Sequence, residues 1–519
     1  MDTIYERLEI PNDREEYADE PSEIQNFFSG QTIFLTGCTG FLGKLLVEKL
    51  LRSCADIKML YLMVRPKKVP TNQRMKEYFN HVIFDRMKVE NPNFQSKISI
   101  VEGDLLQENL GLSAEVRAKL INETTIIYHN ASNVKFDVKL NLLIRVNVLG
   151  TKYVLDLARD CKNVIAFSYI STAYSHCYQK QINEKFYPPP GDLNFMKNLM
   201  TTAESTPDGF DEKAMQSILG PWPNGYAFTK SAAENLVEEF AKEASFACIV
   251  FRPSMVVSTY LEPIRGWCGN INGPVAAVVG ACLGFIHAAY KSDTPIDYVP
   301  GDMCANAMIV TVWDAIVNRK NEKEGIVYNY ASATVKPISV KDFGALGYIR
   351  GADMPSVHMM GPYFTTYTKS WTYYWFLHLT LHLMTAVFAD LALLSQNKKP
   401  QALGFWMQLT KNLNWLNFFI NGNWRFHIHN MRAVWSRMSR RDGALFFCDL
   451  NKLDWGEFAY AYWPGLRMYI VKDPISTREE GLKKRRKLET GFFIINWIFR
   501  LAILYYVGLW LLRILQFHW

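Results

Sequence analysis

Tyr226 and Lys230 are the two residues of this 519-residue chain whose types and spacing most directly suggest chemistry. Residues four apart on a helix lie on one face, so the stretch YAFTK (226–230) places an ammonium beside a phenol. The ammonium is expected to lower the tyrosine pKa from about 10 toward the working pH. Such a phenol can donate a proton to a carbonyl oxygen while hydride arrives at the carbon. The pair therefore predicts hydride transfer to or from a carbonyl carbon.

A second hydroxyl is needed to hold the reacting oxygen, and Ser171-Thr172 supplies one at the end of the apolar run 163–171. Cys177 lies close behind in the sequence and could act as a nucleophile. No paired base is apparent for it, however, and a hydroxyl-based site needs no covalent cysteine. The Ser171-Thr172 pair is therefore the predicted source of the second hydroxyl.

The segment TGCTGFLG (36–43) stands between an apolar strand, QTIFLT (31–36), and a helix predicted over 41–53. Gly37 permits the tight turn, Gly40 lets the backbone approach a pyrophosphate, and Gly43 allows close packing of helix and strand. The pyrophosphate then binds the free amide groups at the helix N-terminus. A glycine pattern alone is weak evidence, but its position between strand and helix predicts a dinucleotide site.

Cofactor choice is expected at the end of the second strand, where an acidic residue would bind the ribose hydroxyl of NAD. Here MLYLMV (59–64) ends in Arg65, which is followed by Lys67 and Lys68. Cations at this place suit a 2′-phosphate, which makes NADPH the predicted cofactor. A solvated basic loop is the alternative reading of the same residues.

Further cofactor contacts are expected after the third and fourth strands, within GDL (103–105) and HNAS (129–132). The complete predicted cofactor set is Gly37, Thr39, Gly40, Phe41, Leu42, Gly43, Arg65, Asp104, Leu105, Asn130, Ala131, Tyr226, Lys230 and Pro253.

The elements that must position these residues alternate along the chain. Apolar runs over 31–36, 58–64, 97–102, 124–128, 163–171 and 247–252 predict strands, and helical periodicity separates them. One long helix is expected over 138–161, and a proline-rich surface insertion over 178–225. This alternation predicts an α/β fold with a Rossmann-like, doubly wound parallel sheet.

Two apolar stretches near the end of the chain raise the question of a membrane. Residues 492–515 are long enough to cross a hydrocarbon layer of about 30 Å, although Arg500 and Arg513 interrupt them. A buried or interfacial helix is the alternative. Residues 371–394 contain His378, His382 and Asp390, which favours a packed or membrane-surface helix over a metal site or a span.

Composition excludes other classes. With 49% hydrophobic residues and a net charge of +7, the chain is neither disordered nor shaped by a broad basic face for nucleic acid. Its nine cysteines include no C-x-x-C pair, which indicates reduced thiols in a cytosolic catalytic body. No metal is predicted. Homo-oligomerisation stays open.

The motifs resemble those of the extended short-chain dehydrogenase/reductases, and more closely the animal fatty acyl-CoA reductases. The resemblance is carried by segments spread over about 28–490, namely TGCTGFLGKLLVEKLLRSC (36–54), YISTAYSHC (169–177), PNGYAFTKSAAENLV (223–237), VFRPSMV (250–256), EPIRGWCGNINGP (262–274), DYVPGDMCANA (297–307) and FFCDLNKLDWGEFAYAYWPGLRMYI (446–470). Small departures occur at 129–132 and at Gly301, and they put chain-length preference in doubt rather than activity.

The resemblance implies NADPH-dependent reduction of long-chain fatty acyl-CoA to a primary alcohol. It implies Thr172 as catalytic hydroxyl, Tyr226 as proton donor, Lys230 as its partner and Asn147 as a structural or relay residue. The expected organisation is a leader (1–27), a catalytic domain (28–356), a mainly helical C-terminal domain (357–490) and a membrane helix (491–515). The catalytic body would face the cytosol from the endoplasmic reticulum or peroxisome. Two alternatives remain: a dehydrogenase or epimerase acting on a nucleotide-sugar or sterol-like alcohol, and a non-catalytic membrane scaffold.

Overall fold

The computed structural model of the protein describes residues 17–206, 210–271, 273–290, 293–319 and 324–517. The chain divides into two compact units. The first contains Met1–Gly269, Pro295–Ile338 and Gly422–Asp454, and the second contains Asn270–Thr294, Ser339–Asn421 and Trp455–Trp519. The units interleave along the sequence, so they differ from the linear division predicted at residue 357.

The strands of the described chain are β1 (Thr32–Thr36), β2 (Met59–Val64), β3 (Ile98–Glu102), β4 (Ile126–His129), β5 (Ala166–Ile170), β6 (Gln181–Ile182), β7 (Ala247–Pro253), β8 (Met255–Val257), β9 (Ala288–Tyr290), β10 (Tyr298–Pro300), β11 (Ile326–Tyr330), β12 (Thr366–Thr368) and β13 (Arg425–Phe426).

The α-helices are α1 (Glu23–Phe28), α2 (Phe41–Ser53), α3 (Thr71–Phe79), α4 (Asp85–Glu90), α5 (Ala114–Glu123), α6 (Leu140–Leu143), α7 (Gly150–Asp160), α8 (Leu193–Ser205), α9 (Glu212–Leu219), α10 (Gly225–Ala241), α11 (Pro274–Cys282), α12 (Gly301–Val317), α13 (Val340–Asp353), α14 (Trp371–Leu377), α15 (Met384–Ser395), α16 (Ala402–Asn421), α17 (His429–Arg437), α18 (Arg440–Leu445), α19 (Trp455–Tyr469) and α20 (Arg478–Phe517). Two π-helical segments, Ile144–Leu149 and His378–Leu383, join α6 to α7 and α14 to α15.

Seven parallel strands form the sheet of the first unit, in the order β11-β7-β5-β4-β1-β2-β3. The central strands β1, β4 and β5 are buried along their whole length, as expected for a sheet covered on both faces. The predicted Rossmann-like, doubly wound sheet is therefore confirmed. The strand order reverses between β1 and β4, and ligands of such sheets bind outside the carboxyl ends of the strands at this reversal.

Six strands lie where the sequence predicts them, and the seventh, β11, was missed. Ile326–Tyr330 has only five residues. It runs directly into the stretch beyond residue 330 that the sequence predicts to be rich in loops, so it was not recognised as a separate strand. The predicted insertion over 178–225 contains two helices, α8 and α9. The long helix expected over 138–161 is present, but its central turn is π-helical.

Among the described residues, buried side chains occur before residue 28, where the catalytic domain was predicted to start. Residues 1–16 of the predicted leader fall outside the described residues, whereas α1 is helical and buries Ile24 and Phe28 completely. Its N-cap Ser22 donates a hydrogen bond to Asp442 of the same unit. The predicted leader boundary at residue 27 is therefore too late, because apolar burial already fixes the chain at residue 24.

Candidate active site

The glycine turn lies against the backbone that follows β4. Gly37 has a φ of +73°, and a Cβ added there would approach Ala131 N to 2.6 Å. A Cβ on Gly43 would lie 2.1 Å from the Gly37 oxygen, so the helix can start only if both positions lack a side chain. Asn130 Nδ2 donates to the same oxygen at 3.3 Å. The structure thus brings the predicted residues 37–43 and 130–131 together at the reversal of strand order.

The N-terminus of α2 opens from this turn. Gly40 occupies the N-cap position, no side chain there accepts a hydrogen bond from the helix, and Thr39 and Gly40 are exposed. Free amide groups at a helix N-terminus bind phosphate oxygens well, since they add hydrogen bonds to the positive end of the helix dipole. The arrangement fits the pyrophosphate of a dinucleotide.

Basic residues gather beside the end of β2. Arg65, Lys67 and Lys68 are exposed, and Arg74 Nη1 donates to the Arg65 carbonyl at 2.8 Å. Burial raises the pKa of the Cys38 thiol to about 12, and the positive charge of Arg74 acts in the opposite direction. Arg74 therefore lies near both the basic loop and the glycine turn. The sequence analysis missed it because it belongs to the following helix, α3, rather than to the loop.

Asp104 and Leu105 follow β3 at the same edge of the sheet. Asp104 Oδ1 accepts a hydrogen bond from Leu106 N at 3.1 Å, which fixes the turn, and Leu105 is buried. Gly103 N donates to the Val64 carbonyl at 3.2 Å, so this turn neighbours the loop that carries Arg65. Pro253, the last residue of β7, lies at the carboxyl end of its strand.

Three of the predicted catalytic residues meet where β5 ends beside α10. Lys230 is 1% exposed and donates from Nζ to the Ile170 carbonyl at 2.6 Å, with the ammonium 4.3 Å from the Tyr169 ring centre. Thr172 follows the strand, and its hydroxyl lies close enough to the phenol of Tyr226 to lower the pKa of that phenol. Asn224 is the N-cap of α10, and its side chain accepts a hydrogen bond from Ala227 N at 2.9 Å. The cap fixes the start of the helix and therefore the position of Tyr226 in its first turn.

Asn147 lies in the π-helical turn and links the loop after β4 to α10. Its Oδ1 accepts hydrogen bonds from Ser132 Oγ at 3.0 Å and Asn133 N at 2.8 Å. Its Nδ2 donates to Thr229 Oγ1 at 3.1 Å. Asn147 is therefore held beside the catalytic helix, and π-helical turns of this kind often occur at functional sites.

Burial sets the protonation of the central pair. Burial raises the pKa of the Tyr226 phenol well above its usual range, although the Thr172 hydroxyl lowers this pKa in part. Burial also lowers the pKa of Lys230 to about 7, which the negative charge of Glu234 partly offsets. The phenol pKa thus moves opposite to the predicted direction, because the loss of water on burial outweighs the opposing effect of the Thr172 hydroxyl. The phenol keeps its proton, as a proton donor requires.

Glu234 is the residue that sequence reasoning overlooked. It is buried one helical turn beyond Lys230, and it accepts hydrogen bonds from Arg252 Nε at 3.0 Å and Nη2 at 2.6 Å. His176 Nε2 lies 2.9 Å from Glu234 Oε2, and the Ser171 hydroxyl donates to Glu234 Oε1. Burial raises the pKa of the carboxyl, but Arg252 and His176 outweigh it and hold the pKa well below the usual range. The signal was available in the i, i+4, i+8 spacing of 226, 230 and 234.

A neutral histidine connects the glycine turn to the π-helical turn. His129 Nδ1 lies 2.8 Å from Thr36 Oγ1, and its Nε2 lies 3.0 Å from Thr151 Oγ1. Thr151 in turn donates to the Asn147 carbonyl at 2.7 Å. Burial, followed by the charge of Lys230, lowers the pKa of His129 to about 3, so the ring stays neutral. Cys177 is also buried, and burial raises its thiol pKa to about 12, which does not suit a nucleophile.

The chain matches two family models, both described as male sterility protein: an NAD-binding model over residues 35–308 and a second model, Sterile, over residues 381–473. It is 32% identical to fatty acyl-CoA reductase wat of Drosophila melanogaster, over 95% of this chain and 93% of that protein. Fatty acyl-CoA reductase 1 of Rattus norvegicus is 32% identical over 90% and 91%, and fatty acyl-CoA reductase 2 of Homo sapiens is 31% identical over 92% and 93%.

The chain belongs to the fatty acyl-CoA reductase family. It is thereby an oxidoreductase with a nicotinamide-binding domain. The sequence resemblance is confirmed at the level of the family.

Solved structures support the fold. The chain resembles the terminal R domain from the myxalamid biosynthetic pathway, with a TM-score of 0.56 and 20% identity over 91% of this chain and all of that one. It also resembles the reductase domain of a non-ribosomal peptide synthetase from Mycobacterium tuberculosis, with a TM-score of 0.55 and 18% identity over 90% and 95%. At these identities the likeness concerns the fold alone.

Proposed function

We propose that this reductase converts long-chain fatty acyl-CoA into primary fatty alcohol with NADPH and releases CoA. The observation that carries the proposal is the convergence of Thr172, Tyr226 and Lys230 at the sheet edge that also holds the glycine turn. Relatives that cover over nine-tenths of the chain are named for reduction of fatty acyl-CoA. The basic group of Arg65 and Arg74 favours NADPH over NADH, since a guanidinium pairs well with a 2′-phosphate.

The chain's own residues handle the oxygen of the substrate. The protonated phenol of Tyr226 donates its proton to the thioester oxygen, and the hydroxyl of Thr172 holds the same oxygen in place. The ammonium of Lys230, fixed on the Ile170 carbonyl, stabilises the phenolate that results. When bound, the nicotinamide would supply the hydride. Reduction of a thioester to an alcohol needs two hydrides, so one substrate molecule consumes two NADPH.

The tetrahedral product of the first reduction is a hemithioacetal. Its hydroxyl returns the proton to the Tyr226 phenolate as its C–S bond breaks, which yields an aldehyde and CoA thiolate, and the thiolate takes a proton from solvent. Tyr226 then donates a second proton to the aldehyde oxygen as the carbon is reduced again, and the product is a primary alcohol. Asn147 holds the loop after β4 through Asn133 N, and His129 is linked to the Asn147 carbonyl through Thr151.

Membrane attachment through residues 491–515 is part of the proposal. Most of this stretch belongs to the 40-residue helix α20, and Phe493, Trp497 and Ile498 are among its exposed apolar side chains. The basic run at 483–487 precedes it, which favours a cytosolic start of the segment. The catalytic unit would then face the cytosol, from the endoplasmic reticulum or peroxisome.

The test is an assay of the purified full-length protein with NADPH and hexadecanoyl-CoA. The proposal expects hexadecanol, one free CoA thiol for every two NADPH consumed, and a much lower rate with NADH. A nucleotide-sugar serves as the control substrate, because related folds act on such alcohols. No alcohol and no NADPH consumption with the acyl-CoA would overturn the proposal.

A further inference from the structure

The second unit contains a helical hairpin whose outer surface is apolar. Its first leg runs from Trp371 to Ser395 through α14, the π-helical turn and α15, and its second leg is α16. The first leg is long and apolar enough to cross a membrane, but only 29% of its most apolar window is buried. Phe376 is 57% exposed, Phe388 62% and Leu391 56%. A helix packed inside the protein would be mostly buried, whereas less than a third of this window is buried.

Asp390, His378 and His382 of the first leg all have hydrogen-bond partners within the second unit. Asp390 accepts hydrogen bonds from the amide groups of Gln401 at 2.7 Å, Ala402 at 2.8 Å and Leu403 at 2.9 Å. It therefore caps the start of α16 and closes the turn between the legs. The charge that argues against a membrane span in the sequence is directed inward in the structure.

The histidines are used in the same way. His382 Nε2 accepts from the His287 amide at 2.9 Å, so its Nδ1 carries the proton that bridges to His378 Nδ1 at 2.8 Å. The Thr410 hydroxyl donates its proton to the Trp406 carbonyl, so its oxygen accepts the bond from His378 Nε2 at 2.9 Å. The chain of bonds runs in one direction and ties the two legs together.

Two exposed threonines of the first leg bond to their own helix. Thr380 Oγ1 donates to the Phe376 carbonyl at 2.7 Å, and Thr385 Oγ1 donates to the Leu381 carbonyl at 2.6 Å. Groups facing hydrocarbon must find their partners internally, because a lipid tail offers none. The first leg meets this requirement for each of these polar side chains while it presents large apolar side chains outward.

The second leg and the turn have a different surface. Lys398 and Lys399 in the turn are exposed, as are Lys411 and Asn412 on α16. A hairpin that crossed the bilayer would bring Lys411 into hydrocarbon, at a cost of roughly 2.5–3.5 kcal/mol. Lysines at headgroup level instead attract anionic lipids, and the exposed Trp371 suits the same interfacial depth. The charges favour a hairpin that lies along one leaflet.

The base of the hairpin is joined to the start of the apolar C-terminal stretch. His287 bonds to His382 and stacks on Phe364, with ring centres 4.5 Å apart. Phe364 contacts Phe492, with ring centres 5.2 Å apart. Residue 492 is where the proposed membrane segment begins, so the hairpin and that segment approach the same surface.

We propose that residues 371–421 form a lipid-binding hairpin whose first leg lies among the acyl chains of one leaflet, with its lysines at anionic headgroups. The inference uses the proposed C-terminal membrane segment only to locate the bilayer. The hairpin would hold the second unit on the membrane, where long-chain substrates partition.

A fluorescence experiment on the full-length protein tests the hairpin. The background is Cys161→Ser, because Cys161 is the half-buried cysteine and the other eight are buried. Phe388→Cys carries an environment-sensitive label on the first leg, and Val89→Cys, at a 79% exposed position of the first unit, is the control. The protein is reconstituted in vesicles of phosphatidylcholine and phosphatidylserine, with or without brominated acyl chains.

The proposal expects blue-shifted emission at position 388, reduced several-fold by brominated chains and unaffected by aqueous iodide. The label at position 89 should show the reverse. Quenching of position 388 by iodide alone would overturn the proposal. So would protection from both quenchers together with cross-linking of position 388 between chains, since a second copy would then cover the face.

A third label at Ile498→Cys separates this inference from the proposed C-terminal anchor. Ile498 is 62% exposed on α20. Lipid quenching at 388 with iodide quenching at 498 would support the hairpin and refute the anchor. The opposite pair of results would support the anchor and refute the hairpin.

Discussion

Replacing Glu234 by glutamine separates the structural role of this carboxylate from its influence on the catalytic lysine. The side chain is buried and accepts four hydrogen bonds, from Ser171, His176 and both arms of Arg252. Glutamine keeps the shape but turns one acceptor into a donor and removes the charge. Arg252, which is fully buried, is left without a counter-ion. Breaking a buried pair in this way costs about 3–5 kcal/mol of folding stability.

The same substitution should change the pH dependence of activity. Tyr169, Tyr226, His129 and Glu234 are the titratable groups that act with Lys230 around β5 and α10, and Glu234 is the anion that raises its pKa. Without that anion, the lysine pKa falls below about 7. The ammonium is present below the pKa and lost above it, so the decline of kcat with rising pH should begin at a lower pH in Glu234→Gln.

The control is Asp314→Asn in the same unit. Asp314 is completely buried and accepts from Arg437 Nε at 2.7 Å and from the Tyr328 hydroxyl at 2.8 Å. Its replacement should lower stability without moving the pH profile. The measurements are denaturant unfolding and kcat between pH 5 and 9. Equal loss of stability in both variants with an unchanged pH profile in Glu234→Gln would refute the electrostatic role and leave Glu234 a structural residue.

Three further substitutions test the cofactor site and the nature of the chemistry. Gly37→Ala should weaken NADPH binding by at least about tenfold, since a left-handed residue costs roughly 1–2 kcal/mol and the new Cβ meets Ala131 N. Gly30→Ala is the control, because Gly30 has a similar φ of +72° and open space around it, and equal effects on NADPH fluorescence titration would contradict the account. Arg65→Asp should move the ratio of kcat/KM for NADPH and NADH toward NADH, and an unchanged ratio would remove its assignment. Cys177→Ser should keep near-normal alcohol formation, and its abolition in a folded protein would point to a covalent cysteine.

Much of the sheet could be predicted because each central strand is a short apolar run between polar breaks. Six strands were found in this way, and the rule for parallel strands placed the glycine turn and the Ser171-Thr172 pair at one edge of the sheet. Strand β11, which pairs with β7, was missed although IVYNY (326–330) carries the β-branched and aromatic residues that are typical of strands. Local periodicity therefore located the site but not the limits of the sheet.

The electrostatics of the site could not be predicted from spacing. The sequence shows that Tyr226 and Lys230 share a helix face, and it predicts that the ammonium lowers the phenol pKa. Burial of both groups reverses the outcome for the phenol. Burial depends on strands β5 and β7, which are remote in sequence from the start of α10. The partnership of Glu234 with Arg252 was hidden for the same reason.

The polar residues of the apolar hairpin show a similar limit. A histidine pair and an aspartate inside a run of apolar residues indicate a packed or membrane-surface helix rather than a membrane span. In the structure Asp390 caps α16 and His378 bonds to Thr410, so neither faces outward. Direction, which a sequence does not carry, decides what such residues mean.

The central claim is that Tyr226 gives its proton to the substrate oxygen, and Tyr226→Phe tests it most directly. With NADPH and hexadecanoyl-CoA, we expect alcohol formation to fall by about 10²–10⁴-fold, the usual contribution of a general acid. Binding of NADPH, measured by fluorescence titration, should stay close to that of the unaltered protein. Alcohol formation by Tyr226→Phe at a rate comparable with the unaltered protein would contradict the account.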